Sequence, residues 1–174
     1  MHKTVGVVAG SYDPVTLGHI RLFQQAVNLV NELHIVVGVN PDKKYLLGDE
    51  ERLHLVGAVL DTAFTDEQRA RTKLHYMEDD LMVHFAESLG ATHMIRGIRN
   101  SQDLFYEENI AGVNHKVNPK IQTVYLMTDA ELACVSSSAV RQLLYKPRWE
   151  QNLQSFVHPF VLDALAKVRE KGKG

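Results

Sequence analysis

The chain has 174 residues, 45% of them apolar, and its 23% of charged side chains nearly balance at a net charge of −2. That balance excludes a global attraction to nucleic acid or an anionic membrane, so an anion site has to be built locally from a few basic groups. A single cysteine, no apolar stretch of bilayer length and an N-terminus without a signal-peptide pattern lead us to expect one cytoplasmic domain over residues 1–174, its tail fraying from about residue 169.

Residues 5–8 form a short, β-branched apolar run, the pattern of a buried strand. From His19 to about residue 30, apolar Ile20, Phe23, Ala26, Val27 and Val30 recur at helical spacing, which predicts an amphipathic helix. Between them lies Ala9-Gly10-Ser11-Tyr12-Asp13-Pro14-Val15-Thr16-Leu17-Gly18, a loop bracketed by glycines. A second strand is expected at 33–39, broken by Asn40-Pro41-Asp42-Lys43-Lys44, residues with turn chemistry. Asp49 reads as the N-cap of a helix whose apolar stripe covers 52–63. Residues 65–71 are polar and read as loop or helix end, and 73–77 as a short strand. Asp80 then caps a helix over 81–89 that Gly90 closes. Residues 92–95 make a further strand, ending at Arg96-Gly97-Ile98-Arg99. Ser101 opens a long helix to about residue 115, stopped by Asn118-Pro119, and a strand follows at 121–127. Val135-Ser136-Ser137-Ser138 leads into a helix that ends near Pro147, and one last amphipathic helix covers about 152–168.

Strand and helix alternate along the whole chain, without internal repeats. This predicts an α/β fold with a doubly wound parallel sheet and helices on both faces. Ligands of such sheets bind at the carboxyl ends of the strands, where the strand order reverses. The unusual clusters all fall there: Gly10 to His19, Asn40 to Lys44, Arg96 to Arg99 and Ser136 to Ser138. Neither G-x-G-x-x-G nor G-x-x-x-x-G-K-[ST] is present, so this is neither a dinucleotide fingerprint nor a P-loop. His19 instead stands at a helix start, beside free N–H groups that favour an anion. With phosphate bound there, the imidazole can stay protonated and donate to a developing negative charge. Lys43 and Lys44 are candidate phosphate contacts, and the guanidinium forks of Arg96 and Arg99 suit phosphate oxygens. The three serines offer hydroxyls and a helix start, of which at least one serves as a cap. Taken alone, Glu107 reads as a solvated helical charge and Cys134 as a small apolar filler. No H-E-x-x-H pattern supports a protein-held zinc; Mg2+ is expected to arrive on nucleotide phosphates.

Thr16-Leu17-Gly18-His19 resembles the T/H-x-G-H signature of the nucleotidyltransferase superfamily. Its longer surroundings, Gly10-Ser11-Tyr12-Asp13-Pro14 through His19, are closest to the phosphopantetheine adenylyltransferase family. Three further segments resemble that family in the same order: Asn40-Pro41-Asp42-Lys43-Lys44 with Glu50-Glu51-Arg52; Asp80-Leu81-Met82 through Arg96-Gly97-Ile98-Arg99, Asp103 and Tyr106-Glu107; and Val135-Ser136-Ser137-Ser138. The resemblance implies a Rossmann-like nucleotidyltransferase fold and transfer of AMP from ATP to 4′-phosphopantetheine, giving dephospho-CoA and pyrophosphate for coenzyme A synthesis. It implies contacts to phosphopantetheine from Ser11, Lys43, Met82 and Arg96. Contacts to ATP would come from Ser11, Tyr12, His19, Gly97, Ile98, Arg99, Glu107, Leu132, Ala133, Cys134, Val135, Ser136, Ser137 and Ser138. His19, with Lys43 and Arg96, would carry catalysis, and the family suggests a homo-oligomer, a hexamer.

The chain departs from the family pattern at Ala9, usually proline, at Ser11, usually threonine, and at Leu17, usually polar. Leu132-Ala133-Cys134 replaces a stretch that usually holds an aromatic, and residues 62–73 form a longer segment. Two rivals remain. One is a sister nucleotidyltransferase whose acceptor is nicotinate mononucleotide or glycerol phosphate; the other is a nucleotide-binding module without activity, against which the intact His19 speaks.

Overall fold

The computed structural model describes residues 3–39, 43–78 and 80–171; the Asn40-Pro41-Asp42 turn lies outside them. Five strands, β1 (Val5–Gly10), β2 (Glu32–Gly38), β3 (Thr72–Met77), β4 (His93–Ile98) and β5 (Gln122–Met127), alternate with helices. The helices are α1 (Leu17–Val27), α2 (Asp49–Ala63), α3 (Asp66–Ala70), α4 (Met82–Ser88), α5 (Ser101–Val117), α6 (Ser137–Leu144), α7 (Trp149–Leu153) and α8 (Pro159–Lys171). A 3-10 turn, Ala130–Leu132, follows β5. The strands form one parallel sheet in the order β3-β2-β1-β4-β5. The order reverses between β1 and β4.

Strand side chains alternate between two faces, and helices cover both. Val8, Leu33, Ile35, Val37 and Ile95 join Phe23, Val27, Val56, Leu60, Val140 and Leu165 in the larger core. Val7, Val36, Met77 and Met94 point the other way, against Val83 and Ala86 of α4. The doubly wound arrangement expected from the alternation is therefore present.

Several local expectations are corrected. α1 starts at Leu17, with Thr16 as its N-cap. Gly48 rather than Asp49 caps α2, because the Asp49 carboxylate is taken by Arg52 and Tyr76. Leu81 occupies the cap position of α4, while Asp80 accepts the Leu81 N–H from one residue earlier. Residues 66–70 form a helical turn because Thr65 and Gln68 make a reciprocal capping box. The single C-terminal helix is two: α7 ends after Leu153, and Pro159 starts α8 afresh, as proline at a helix start can. That second helix runs to Lys171. Gly90 closes α4 as expected, with φ 71°.

One feature of the sheet makes the crevice. β1 pairs with β2 from Val5 to Gly10, but with β4 only at Gly6 and Val7. Beyond Val7 the two central strands part toward their carboxyl ends. The Ala9 carbonyl, left without a ladder partner from β4, accepts from Arg96 Nη1 at 3.0 Å. A side chain thus replaces backbone pairing where the strand order reverses, and the rim opens there.

Candidate active site

The β1–α1 loop is pinned from every side. Asp13, 2% exposed, accepts the N–H groups of Leu46 and Leu47 at 2.9 Å each. Its carbonyl accepts from Arg141 Nη1 at 2.6 Å, the Pro14 carbonyl accepts from the Ser137 hydroxyl at 2.9 Å, and the Ser11 carbonyl accepts from Arg52 Nη1 at 2.7 Å. Leu17 N donates to the Phe156 carbonyl. The Asp13-Pro14 peptide is cis. Tyr12 stands at φ 47°, a backbone region uncommon for residues other than glycine. Its ring is buried, its hydroxyl donates to the Val8 carbonyl, and a Cβ on Gly10 would lie 2.8 Å from it. Gly10 is therefore required by the close approach of the Tyr12 ring. Burial raises the Tyr12 pKa, opposed in part by Arg96.

This loop delivers His19 to the first turn of α1. The Thr16 N–H donates to His19 Nδ1 at 3.0 Å, and the Thr16 hydroxyl lies 2.9 Å from the same nitrogen. An acceptor at Nδ1 leaves the ring proton on Nε2. The ring stands edge-on to Tyr12, with centroids 5.1 Å apart. Burial, reinforced by the Arg99 guanidinium, lowers its pKa from 6.5 to about 4. The ring is thus neutral near pH 7 in the free protein; the imidazolium expected above is that of the phosphate-bound site. A second proton would have to sit on Nδ1, facing an N–H group; the neutral ring still donates through Nε2.

The other expected residues gather on the same rim, though several are already engaged. Arg96 and Gly97 lie within β4, whose strand extends to Ile98, past the expected end at 95. Arg96 holds Glu107 through two short bonds, Nε to Oε2 at 2.7 Å and Nη2 to Oε1 at 2.6 Å. Glu107 is therefore an ion-pair partner rather than a solvated helical charge. Desolvation disfavours the charged form of Arg96, but the Glu107 pairing outweighs it and its pKa is raised. Arg99 is paired with Asp103, which accepts its backbone N–H as well. The side chain of Ile98 is buried in the core, 1% exposed, and Tyr12 is equally hidden; only their backbones can face a ligand.

Ser136 caps α6, accepting the Ala139 N–H, so the three serines divide their work: Ser137 holds Pro14, and Ser138 accepts from Arg141. A Cβ on Gly18 would sit 3.3 Å from the Val135 carbonyl. The starts of α1 and α6 therefore converge, and residues 132–138 lie alongside the signature loop. Leu132 and Ala133 are half-buried, and Cys134 is exposed rather than a filler. Met82 opens α4, its methyl group placed 3.8 Å from where a Cβ of Gly38 would be, at the end of β2. Lys43 and Lys44 are exposed beyond β2.

Sequence reasoning missed three residues here. Asp13, Arg52 and Arg141 were each visible as a letter, and Asp13 and Arg52 even as parts of motifs, but their backbone partners lie 14 to 128 positions away. No local spacing announces such bonds. The only available signal was the presence of charged residues inside otherwise apolar or turn-forming stretches.

Among the described residues no group of three His, Cys, Asp or Glu side chains could hold a metal ion. Asp13, Asp49, Asp103 and Glu107 are committed to N–H, guanidinium or hydroxyl partners. These side chains do not fit a protein-held cation. No described helix is long and apolar enough to cross a membrane.

The arrangement brings two helix starts, Arg96, Arg99 and an Nε2–H donor to the strand reversal. Such a place suits a crowd of phosphates. The family model described as cytidylyltransferase-like matches residues 7–143. The chain is similar to the phosphopantetheine adenylyltransferase of Streptococcus suis, 36% identical over 171 residues, covering 98% of this chain and 100% of that one. It is also 36% identical over 151 residues to the enzyme of that name from Chromobacterium violaceum, covering 87% and 88%. Among solved structures, its fold is similar to Plasmodium falciparum nicotinic acid mononucleotide adenylyltransferase complexed with NaAD, with a TM-score of 0.73, 17% identity and coverage of 95% and 96%.

Proposed function

Since the chain belongs to the phosphopantetheine adenylyltransferase family of cytidylyltransferase-like nucleotidyltransferases, we propose that it moves the AMP part of ATP onto 4′-phosphopantetheine. An oxygen of the acceptor phosphate attacks the α-phosphorus of ATP, the bond to the bridging oxygen breaks, and pyrophosphate leaves with its electron pair. The product is dephospho-CoA. Reactions of this kind need positioning and charge stabilisation more than covalent help.

The observation that carries this reading is the position of His19: in the first turn of α1, its Nδ1 occupied by Thr16, its Nε2–H left as the donor. As charge develops on the α-phosphate, that donor is already fixed and need not reorganise. Lys43 and Arg96 would meet the acceptor phosphate, with Ser11 and Met82 beside it. Arg96 keeps N–H groups free of Glu107 and Ala9 for this purpose, since a guanidinium has five. Arg99, the backbone of Gly97 and Ile98, Glu107 and the 132–138 stretch would hold ATP, with Tyr12 contributing backbone only. Magnesium enters as part of the nucleotide substrate, on its phosphates; no step is assigned to it.

A homo-oligomer, hexameric as the family suggests, is part of the proposal. Its support is a face that the single chain leaves uncovered: α5 has no buried residue, and Phe105, Tyr106, Val113 and Val117 on it, with Met127 at the end of β5, are exposed. The deciding experiment is an acceptor panel with ATP and magnesium, read by pyrophosphate release. Turnover is expected with 4′-phosphopantetheine and not with nicotinate mononucleotide or glycerol phosphate; the reverse preference would reject the proposed acceptor.

A further inference from the structure

Arg52 is the largest side chain with no solvent exposure, 0%, on a helix that begins three residues earlier at the protein surface. A buried guanidinium is costly unless it is fully engaged, and this one keeps an Nε–H without a hydrogen-bond partner. Its other bonds connect different parts of the rim. Nη1 donates to the Ser11 carbonyl at 2.7 Å and to the Gly38 carbonyl at 3.2 Å; Nη2 donates to Asp49 Oδ1 at 2.6 Å. The Tyr45 ring lies against the guanidinium, 4.1 Å from its carbon. Asp49 in turn accepts from the Tyr76 hydroxyl on β3 at 2.6 Å. One side chain therefore links the segments that follow β1 and β2, and through Asp49 it reaches β3.

We propose that Arg52 is a positioning residue for the acceptor half of the site, fixing from inside the protein the distance between Ser11 and the segment that carries Lys43. This rests on the reading above that those two residues meet the acceptor. Gly38 is the last residue of β2, five before Lys43, and Ser11 is the first residue beyond β1. Both attachments are to backbone carbonyls, which places the segments rather than individual side chains. Arg141 and Ser137 hold the same loop beyond Ser11, at the Asp13 and Pro14 carbonyls, and Ser136 caps α6; these bonds do not involve Arg52, and Lys43 is read as a contact of the acceptor alone, so loosening Arg52 acts unevenly on the two substrates. A packing role alone predicts no such asymmetry.

The test is steady-state kinetics of the full chain with both substrates varied, alongside thermal melts and separate binding of ATP and of 4′-phosphopantetheine. Arg52→Met, which keeps volume and removes the donors, is expected to raise KM for the acceptor about tenfold and lower kcat, with ATP binding within about twofold. Arg52→Lys should recover part of the acceptor KM, since one ammonium still reaches a carbonyl. Should Arg52→Met fail to fold, Asp49→Asn decides: its side chain is half-exposed, its loss frees the guanidinium, and a smaller rise in the acceptor KM alone is expected. A variant that melts lower but keeps both KM values, or raises both equally, overturns the positioning role while leaving the proposed reaction standing. A wild-type protein that makes no dephospho-CoA overturns both.

Discussion

The two flanks of β1 are built differently. Toward β2 and β3 the strands pair along their full length, β2 is buried from Leu33 to Val37, and a buried arginine ties the strand ends together. Toward β4 and β5 the pairing with β1 stops after Val7, β5 contributes no fully buried residue, and neither does α5. One flank is a finished core and the other is a scaffold with an open face. The difference teaches where the free energy of folding and the freedom to bind are placed: the signature loop hangs between a rigid wall and a wall that opens.

The sharpest test of this contrast lies at the boundary. His19→Ala is expected to lower kcat by about 10²–10³-fold, the usual loss for one preorganised donor, with ATP affinity nearly unchanged. Equal loss of turnover and of ATP binding would show that the residue only holds the nucleotide. The flanks themselves should differ in stability. Phe23→Ala, at a site with 0% exposure and against Tyr12, is expected to cost about 3–5 kcal/mol in denaturant unfolding. Phe105→Ala, 72% exposed on α5, should leave monomer stability within about 0.5 kcal/mol but reduce the assembled mass in solution if its face is covered by another copy. Comparable losses from both would erase the distinction.

The smallest effect is a titration. Folding lowers the His19 pKa from 6.5 to about 4. Its contribution to stability is present in full above pH 6.5, declines as the unfolded chain takes up the proton, and is lost as pH falls through about 4. Imidazole resonances should show a midpoint near pH 4 in the free protein; a midpoint near 6.5 would show that burial does not shift the ring. Glu32 belongs to the finished flank and has the same sign: hydrogen bonds from Lys3, Lys73 and His34 hold its pKa near 2, down from 4.5. Its share of stability is present above pH 4.5 and lost as pH falls toward 2, so Glu32→Gln should flatten that part of the acid limb.

Much of the fold was legible because its signals are local. Alternation of β-branched runs with helical stripes gave every strand to within a few residues. The terminal helix was misread as one because the apolar period carries on across Pro159, and a stripe does not show where backbone hydrogen bonds are interrupted. Asp49 was read as a cap because an acid before a helical stripe commonly is one; tertiary competition from Arg52 and Tyr76 removed it. Within the site, their positions after successive strands placed His19, Arg96, Arg99 and the serine run at one rim. Those positions could not show that Arg96 and Glu107 are partners, since an arginine on a strand and a glutamate on the following helix meet only after the crossover is packed.

The amino-acid order by itself determined the strand–loop–helix start, the parallel alternation and the identity of the groups offered to phosphate, because periodicity and turn chemistry act over a few residues. Only the folded chain decided that β1 and β4 pair no further than Val7, that Thr16 occupies Nδ1 of His19 while burial lowers its pKa, and that Arg52 holds two strand ends from within. Those outcomes depend on hydrogen bonds and desolvation among groups far apart in sequence, and such terms have no value until the sheet exists.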